Sequence, residues 1–477
     1  MVWRLASVAL VIAGLGGAAS ANGRPPATSS IAFRQGHESD IVVGLTFGLV
    51  VSHDGGATWG WMCEDAIGYS GTYDPSYEYS ATGGVFATTF KGLKVMRDSC
   101  TFSTPPSVAT FASAATLGPA PENALYYTAV QSADATHPIA DFHIYKSVDD
   151  GMTFPVVASA AAATETNVWW QSIVVAPSDP LRVYLSGYRY PPGIDTVRDH
   201  LLFRSDDGGA TWQQLATTGF TPLMPNSVLH IAGIWANNPD HVYVRVERYD
   251  NTLSDAIYVS SNKGATWKPI ETKPTTIGAF VARAAVNSLG NHDLVLGTRE
   301  LGAEISHDDG ANWEPLAGAP HMGCLVENAA GELWACTQNF GFSAVQPDDA
   351  GVMKTSDLVT WTKVLRYQDL TEAASCAAGT IQHDTCAPLW CAVCAQLGCT
   401  PSASYGCPVV IDGCPVPTDG CPVPTDASIP RTTSGKGGCC DSGASSGGPL
   451  ALALSVATML RRPRRRARCR RRPRQEP

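Results

Sequence analysis

Charged residues are scarce in this chain, at 16% of its 477 residues. Long amphipathic helices need a charged outer face, so a helical body is disfavoured. The chain has no Gly-rich phosphate loop, no HExxH pair and no Gly-x-Ser-x-Gly elbow. It therefore shows none of the usual local marks of nucleotide, zinc-protease or serine-hydrolase chemistry. A basic body is missing too. Ten arginines lie between Arg461 and Arg474, with Glu476 the one acid after them, so the rest of the chain is far more acidic than the formal net charge of -10. An acidic body argues against nucleic acid as a partner, because phosphate binding needs a basic face.

What is present is rich in Gly, Thr, Ser and aromatics, a composition suited to short strands joined by tight turns. Arg4, an apolar stretch over residues 5–15 and Ala19-Ser20-Ala21 have the order of a secretory signal. Residues 1–21 are accordingly read as a signal peptide, with the mature chain starting near Asn22. Export places the fifteen cysteines in an oxidising compartment. Eight of them (Cys376, Cys386, Cys391, Cys394, Cys399, Cys407, Cys414 and Cys421) fall in one short stretch and read as a disulfide framework. Zinc binding by Cys391-Ala392-Val393-Cys394 with His383 is the competing reading of that stretch. No metal or cofactor is expected. By position, Cys324 is expected to pair with Cys336, and Cys63 with Cys100.

An octapeptide recurs along the chain. Ser52-His53-Asp54-Gly55-Gly56-Ala57-Thr58-Trp59 returns with the form Ser-x-Asp/Asn-x-Gly-x-Thr/Asn-aromatic at Ser147, Ser205, Ser260 and Ser306, on Asp149, Asp207, Asn262 and Asp308. Two copies one residue shorter stand at Met96 and Thr355, on Asp98 and Asp357, so the starts are 44 to 58 residues apart. That period is the length of a four-stranded blade. Each residue type has a local task. A short acid accepts bonds from the turn's own N–H groups, and glycine supplies a positive φ. Turn chemistry accounts for every position, so the repeats read as scaffold rather than calcium or sugar sites.

The repeat resembles the Asp-box, or BNR repeat, of sialidases and related propellers. The expected fold is all-β: a seven-bladed β-propeller with Asp-box turns over residues 28–368, then a disulfide-rich segment with a Pro-rich stalk over 372–426. Residues 438–477 hold Cys439-Cys440, an apolar run at 449–460 and the arginine tail. This order resembles the MYXO-CTERM sorting signal of myxobacterial surface proteins, which implies processing or anchoring at Cys439 or Cys440. The apolar run is shorter than the roughly 20 residues a span needs. Membrane contact is expected only through this signal, with the export and sorting machinery as partners and the cell surface or the medium as destination.

Function is expected on the face opposite the repeated turns, where strand 2 meets strand 3. Loops there carry Thr46-Phe47, Phe90-Lys91, Gln131 with Asp134 and His137, and Tyr188-Arg189-Tyr190. They continue with Glu247-Arg248-Tyr249-Asp250, Arg299-Glu300 and Asn339-Phe340. Arg189, Tyr190, Arg248, Tyr249, Arg299, Glu300 and Phe340 are the candidate ligand-binding residues, since arginines and aromatics suit an anionic or carbohydrate ligand. No catalytic residue is assigned. The resemblance to sialidases implies an arginine triad, and its first member would be Arg34 in Ile31-Ala32-Phe33-Arg34-Gln35-Gly36, which lacks the expected proline and sits at the far end of its strand. The leading expectation is an exported propeller that binds a surface glycan or protein without catalysis. The alternative is an exported glycoside hydrolase of sialidase-like fold.

Overall fold

The computed structural model describes residues 25–70, 73–105, 110–161, 167–191, 197–220, 223–248, 254–341, 345–402, 407, 410–411 and 414–415. The signal-peptide reading, Tyr249, the stalk beyond 415 and Cys439-Cys440 lie outside them.

Each blade is four consecutive antiparallel strands. Blade 1 holds β1 (Thr28–Arg34), β2 (His37–Leu45), β3 (Gly48–Ser52) and β4 (Gly60–Met62); blade 2 holds β5 (Tyr77–Tyr79), β6 (Val85–Thr89), β7 (Gly92–Met96) and β8 (Phe102–Ser103). Blade 3 follows with β9 (Ala112–Leu117), β10 (Leu125–Ala129), β11 (Ile144–Ser147) and β12 (Val156–Ala158). Blade 4 has β13 (Val168–Ala176), β14 (Asp179–Arg189), β15 (Asp199–Ser205) and β16 (Gln213–Gln214). Blade 5 has β17 (Val228–Trp235), β18 (Asn238–Glu247), β19 (Asp255–Ser260) and β20 (Lys268–Lys273). Blade 6 has β21 (Ile277–Val286), β22 (His292–Thr298), β23 (Ala303–Ser306) and β24 (Glu314–Pro315); blade 7 has β25 (Cys324–Glu327), β26 (Leu333–Cys336), β27 (Val352–Thr355) and β28 (Thr362–Leu365). The protein is thus an all-β seven-bladed propeller. Its apolar core lies between adjacent blades, in wedges such as Tyr127 and Phe154 of blade 3 against Phe86 and Val95 of blade 2.

All seven repeated turns begin on the last residue of a third strand and join it to the fourth. In the first, the Thr58 N–H and hydroxyl donate to the two oxygens of Asp54 at 2.9 and 2.6 Å, while the Gly56 N–H donates to Ser52 Oγ. The same bonds recur around Asp149 and Asp207. Asn262 keeps the pattern with one bond reversed, its amide donating to Thr266 Oγ1. Two successive residues take positive φ in each full turn. The first varies (Gly55, Asp150, Gly208, Lys263, Asp309), whereas the second is always glycine. The reason lies outside the turn: a Cβ on Gly151 would come within 2.6 Å of Phe86, and one on Gly264 within 2.5 Å of Leu215, each in the preceding blade. The short turns on Asp98 and Asp357 omit that residue and keep one positive φ, at Ser99 and Leu358.

Blades 1 and 7 are each complete in themselves, so the ring closes without an exchanged strand. Side chains do the joining: Phe33 meets Trp334 edge-on at 5.1 Å, and Thr28 bonds Tyr367 at 2.7 Å. After blade 7 the chain returns across the start of the ring. A two-residue strand, β29 (Glu372–Ala373), pairs in parallel with β4 as a fifth strand of blade 1. Helix α2 (Ala387–Leu397), the second after the one-turn α1 (Glu64–Ile67) that follows β4, then sets the fully buried Trp390 5.3 Å from Trp61.

Five disulfides hold the described residues. Cys324 pairs with Cys336 across one hairpin, as expected. The expected Cys63–Cys100 bridge is not formed. Cys63 pairs with Cys386 and Cys100 with Cys376, so both reach into the returning segment instead of to each other. Cys391 and Cys394 also part company, bonding to Cys407 and Cys399, which uses the thiols that the zinc reading needed.

Candidate functional site

Strand 2 of every blade ends on the face opposite the repeated turns, and the blade-to-blade connections arrive on that same face. Between blades 2, 3 and 4 these segments enclose a cleft of about 590 Å³. Tyr73, on the connection into blade 2, stands 4.9 Å from Phe90 of the β6–β7 loop. Phe90 lies 4.3 Å from Phe111, which enters blade 3, and Phe111 lies 6.0 Å from Trp169 at the start of blade 4. Tyr188 completes the wall on β14.

The rings are fixed from behind. The Tyr73 hydroxyl donates to Ser113 O at 2.8 Å, and Trp169 Nε1 donates to Asn167 Oδ1 at 2.7 Å. The Arg198 guanidinium lies 4.2 Å over the Tyr188 ring, a cation–π contact that holds both groups. Burial pushes the Tyr73 and Tyr188 phenols upward, so both remain protonated donors. Phe90 is the exception, with 48% of its surface open to solvent, an apolar plate at the rim. Asp74, Ser76 and Gln171 supply sparse polar groups between the rings. Aromatic walls with a few placed polar groups are the make-up of a site for a large, mostly uncharged ligand with apolar faces, as a pyranose has. Among the described residues, Asp74 is the one carboxylate lining the cleft, and no lysine or arginine lines it.

The residues singled out in the sequence do not gather in one place. Arg189 pairs with Asp199 at 3.2 Å, and the Tyr190 ring stands 5.5 Å from Tyr188, just behind the cleft wall. Arg248 is buried, with its backbone N–H on Asp255 and its guanidinium toward Tyr258. Glu300 accepts the Thr275 hydroxyl, and Phe340 leans on Tyr367 at 5.9 Å. Arg299 lines a separate recess of about 110 Å³ where blades 6, 7 and 1 meet. Arg34 is committed to the scaffold, bonded to Asp40 and to the carbonyl of Ala81. Among the described residues, no group of three or more His, Cys, Asp or Glu side chains is arranged to hold a metal ion. Tyr73, Phe111 and Trp169 are not among the sequence-predicted site residues. Their shared signal is an aromatic residue at the entry to three successive blades.

No family model matches the chain. It is 32% identical over 169 residues to an oligoxyloglucan-reducing end-specific xyloglucanase of Emericella nidulans, a match covering 32% of this chain and 20% of that protein. A xyloglucanase of a Paenibacillus species is 30% identical over 183 residues, covering 33% of this chain and 18% of the relative. The chain thus matches about a fifth of the length of these curated relatives. Among solved structures it is similar to an ancestral GH74 enzyme at 14% identity and a TM-score of 0.45, covering 65% of this chain and 43% of the other. A GH74 xyloglucanase from Xanthomonas campestris stands at 15% identity and a TM-score of 0.36, covering 72% and 59%. The fold is a seven-bladed propeller, and the two curated relatives named here, each sharing part of its sequence, are xyloglucanases.

Proposed function

We propose that this chain is a polysaccharide-active propeller of the glycoside hydrolase kind, with a neutral glucan of the xyloglucan type laid along the cleft of blades 2–4. The observation that carries the reading is the aromatic wall of that cleft, Tyr73, Phe90, Phe111, Trp169 and Tyr188. The partial relatedness to two xyloglucanases gives that wall a substrate class. The relatedness favours the hydrolase over binding alone, and with the uncharged aromatic wall it favours xyloglucan over sialosides as the substrate. Asp74 is the candidate acid. The disulfides support export, since such bonds persist in oxidising compartments.

Binding without turnover is the second reading, and a specific observation favours it. Glycoside hydrolysis ordinarily uses two carboxyl groups flanking the bond, whereas a single carboxylate lines the cleft among the described residues.

The test is calorimetric titration of the whole chain with xyloglucan oligosaccharides, alongside an assay of new reducing ends. Binding weakened at least tenfold by Trp169→Ala, with turnover abolished by Asp74→Asn, supports the hydrolase. The same binding with no turnover supports the second reading. An unchanged affinity in Trp169→Ala would remove the cleft from either.

A further inference from the structure

The recess between blades 6, 7 and 1 differs in chemistry from the aromatic cleft. Its polar groups are Arg299, His321, Gln338, Thr337, Asn339 and Thr28. Every other arginine among the described residues is held by a hydrogen bond or ion pair, as Arg182 is by Asp206 and Asp240, or Arg283 by Glu327. Arg299 has no such partner among the described residues and is exposed at the mouth of the recess, lying over the bare Cα of Gly323. In a body this acidic, a guanidinium left unneutralised is unusual.

Its neighbours are held in place from behind. Asp348 accepts from His321 Nδ1 at 3.1 Å and from the backbone N–H of Gln338 at 3.0 Å, which orients the imidazole and leaves Nε2 without a partner among the described residues. Asn339 is occupied, bonding Gln368 and the Tyr367 N–H, and Thr337 donates to Ala350 O. Thr28 is taken by Tyr367. Gln338 is not: its Oε1 is sealed from solvent with no hydrogen-bond partner. Two groups without a partner among the described residues therefore remain for a ligand of the recess: a guanidinium and an imidazole nitrogen.

We infer that this recess binds the carboxylate of an acidic sugar unit, Arg299 taking the carboxylate and His321 Nε2 accepting from an adjacent hydroxyl. A planar guanidinium fork matches a carboxylate in two parallel bonds. The volume of about 110 Å³ accommodates such a group with its nearest hydroxyl, given that a water takes about 30 Å³. The carboxylate half of this inference rests on the recess alone, while the sugar half rests on the polysaccharide reading above.

The experiment titrates the full chain with trigalacturonate, with its neutral methyl ester, and with free glucuronate, for wild type and Arg299→Gln. Trigalacturonate is expected to bind at least about tenfold more tightly than its ester. Arg299→Gln should abolish that preference, with a loss of about tenfold to a hundredfold for a charged hydrogen bond. Arg299 is exposed, so the variant folds, and its unchanged xyloglucan affinity in the aromatic cleft is the control. Absence of acid binding, or equal affinity in Arg299→Gln, overturns the inference. Free glucuronate bound as tightly as the trimer supports recognition of a single acidic sugar unit. If Trp169→Ala abolishes xyloglucan binding while Arg299→Gln leaves it intact, the two sites are separate, and failure of one leaves the other standing.

Discussion

Gly56 rests against Val364 of the last blade: a Cβ there would lie 2.7 Å from Val364 Cγ1. Its neighbour Gly55 has a similar left-handed backbone but open space around it. The two glycines of one turn therefore serve different ends, one for the turn and one for the seam between blades. Gly55→Ala should cost only the φ strain, about 1 kcal/mol. Gly56→Ala should cost about 1–3 kcal/mol more, because the seam must open. Urea unfolding of both variants checks the difference; equal losses would mean that the seam yields freely.

The turn carboxylates should give the fold an acid limit. Hydrogen bonds from Thr58 hold Asp54 at about 2, those from Ser147 and Thr153 do the same for Asp149, and backbone N–H groups led by that of Thr360 hold Asp357 there. A carboxyl depressed in the folded state binds fewer protons than in the unfolded chain, so its contribution is complete above the ordinary value near 4 and is lost as pH falls toward 2. Urea midpoints measured from pH 5 to 2 should fall steeply over that window. Asp54→Asn, which reproduces the side chain of the Asn262 turn, should flatten the profile.

Glu78 should act in the opposite direction. Burial between blades pushes its carboxyl up to about 8, with only the Leu117 backbone to oppose the shift. The folded state then holds a proton that the unfolded chain releases above about 4.5, so stability declines as pH rises from there to 8. Glu78→Gln should raise the melting temperature at pH 8 and leave it nearly unchanged at pH 4. A scan at the two pH values decides it.

Reduction should loosen the ring. Cys63–Cys386 and Cys100–Cys376 tie the returning segment to blades 1 and 2 across 323 and 276 residues of sequence. Loss of a long-range bridge costs about 2–4 kcal/mol. The Cys63→Ser, Cys386→Ser double variant should melt several degrees lower, and Cys324→Ser, Cys336→Ser less so, since that bridge closes only 12 residues.

Much of the scaffold was legible because its signals are local. A Ser-x-Asp-x-Gly turn satisfies its own bonds, so each copy marks the junction of strands 3 and 4 without reference to the rest of the ring. The partner of Cys63 was not legible, because Cys386 becomes its neighbour only after seven blades have closed. The same holds for the glycine against the preceding blade. In the cleft, Phe90 stood out as an aromatic in a loop, but Tyr73, Phe111 and Trp169 look like ordinary strand-entry residues until the curvature of the ring brings them side by side. Arg248 has the loop position of a ligand-binding residue, yet its side chain turns inward toward Tyr258.

The returning segment also settles how the molecule carries load. Tension applied to the chain beyond Cys407 would first meet the Cys391–Cys407 bridge, then α2 and the Cys386–Cys63 bond, and would enter the ring at blade 1. Blade 7, which would otherwise peel first as the last blade in sequence, lies outside that path. A propeller tethered from its C-terminal side would then be pulled through covalent bonds rather than hydrogen-bonded strands, and would keep its shape under shear until a disulfide was reduced.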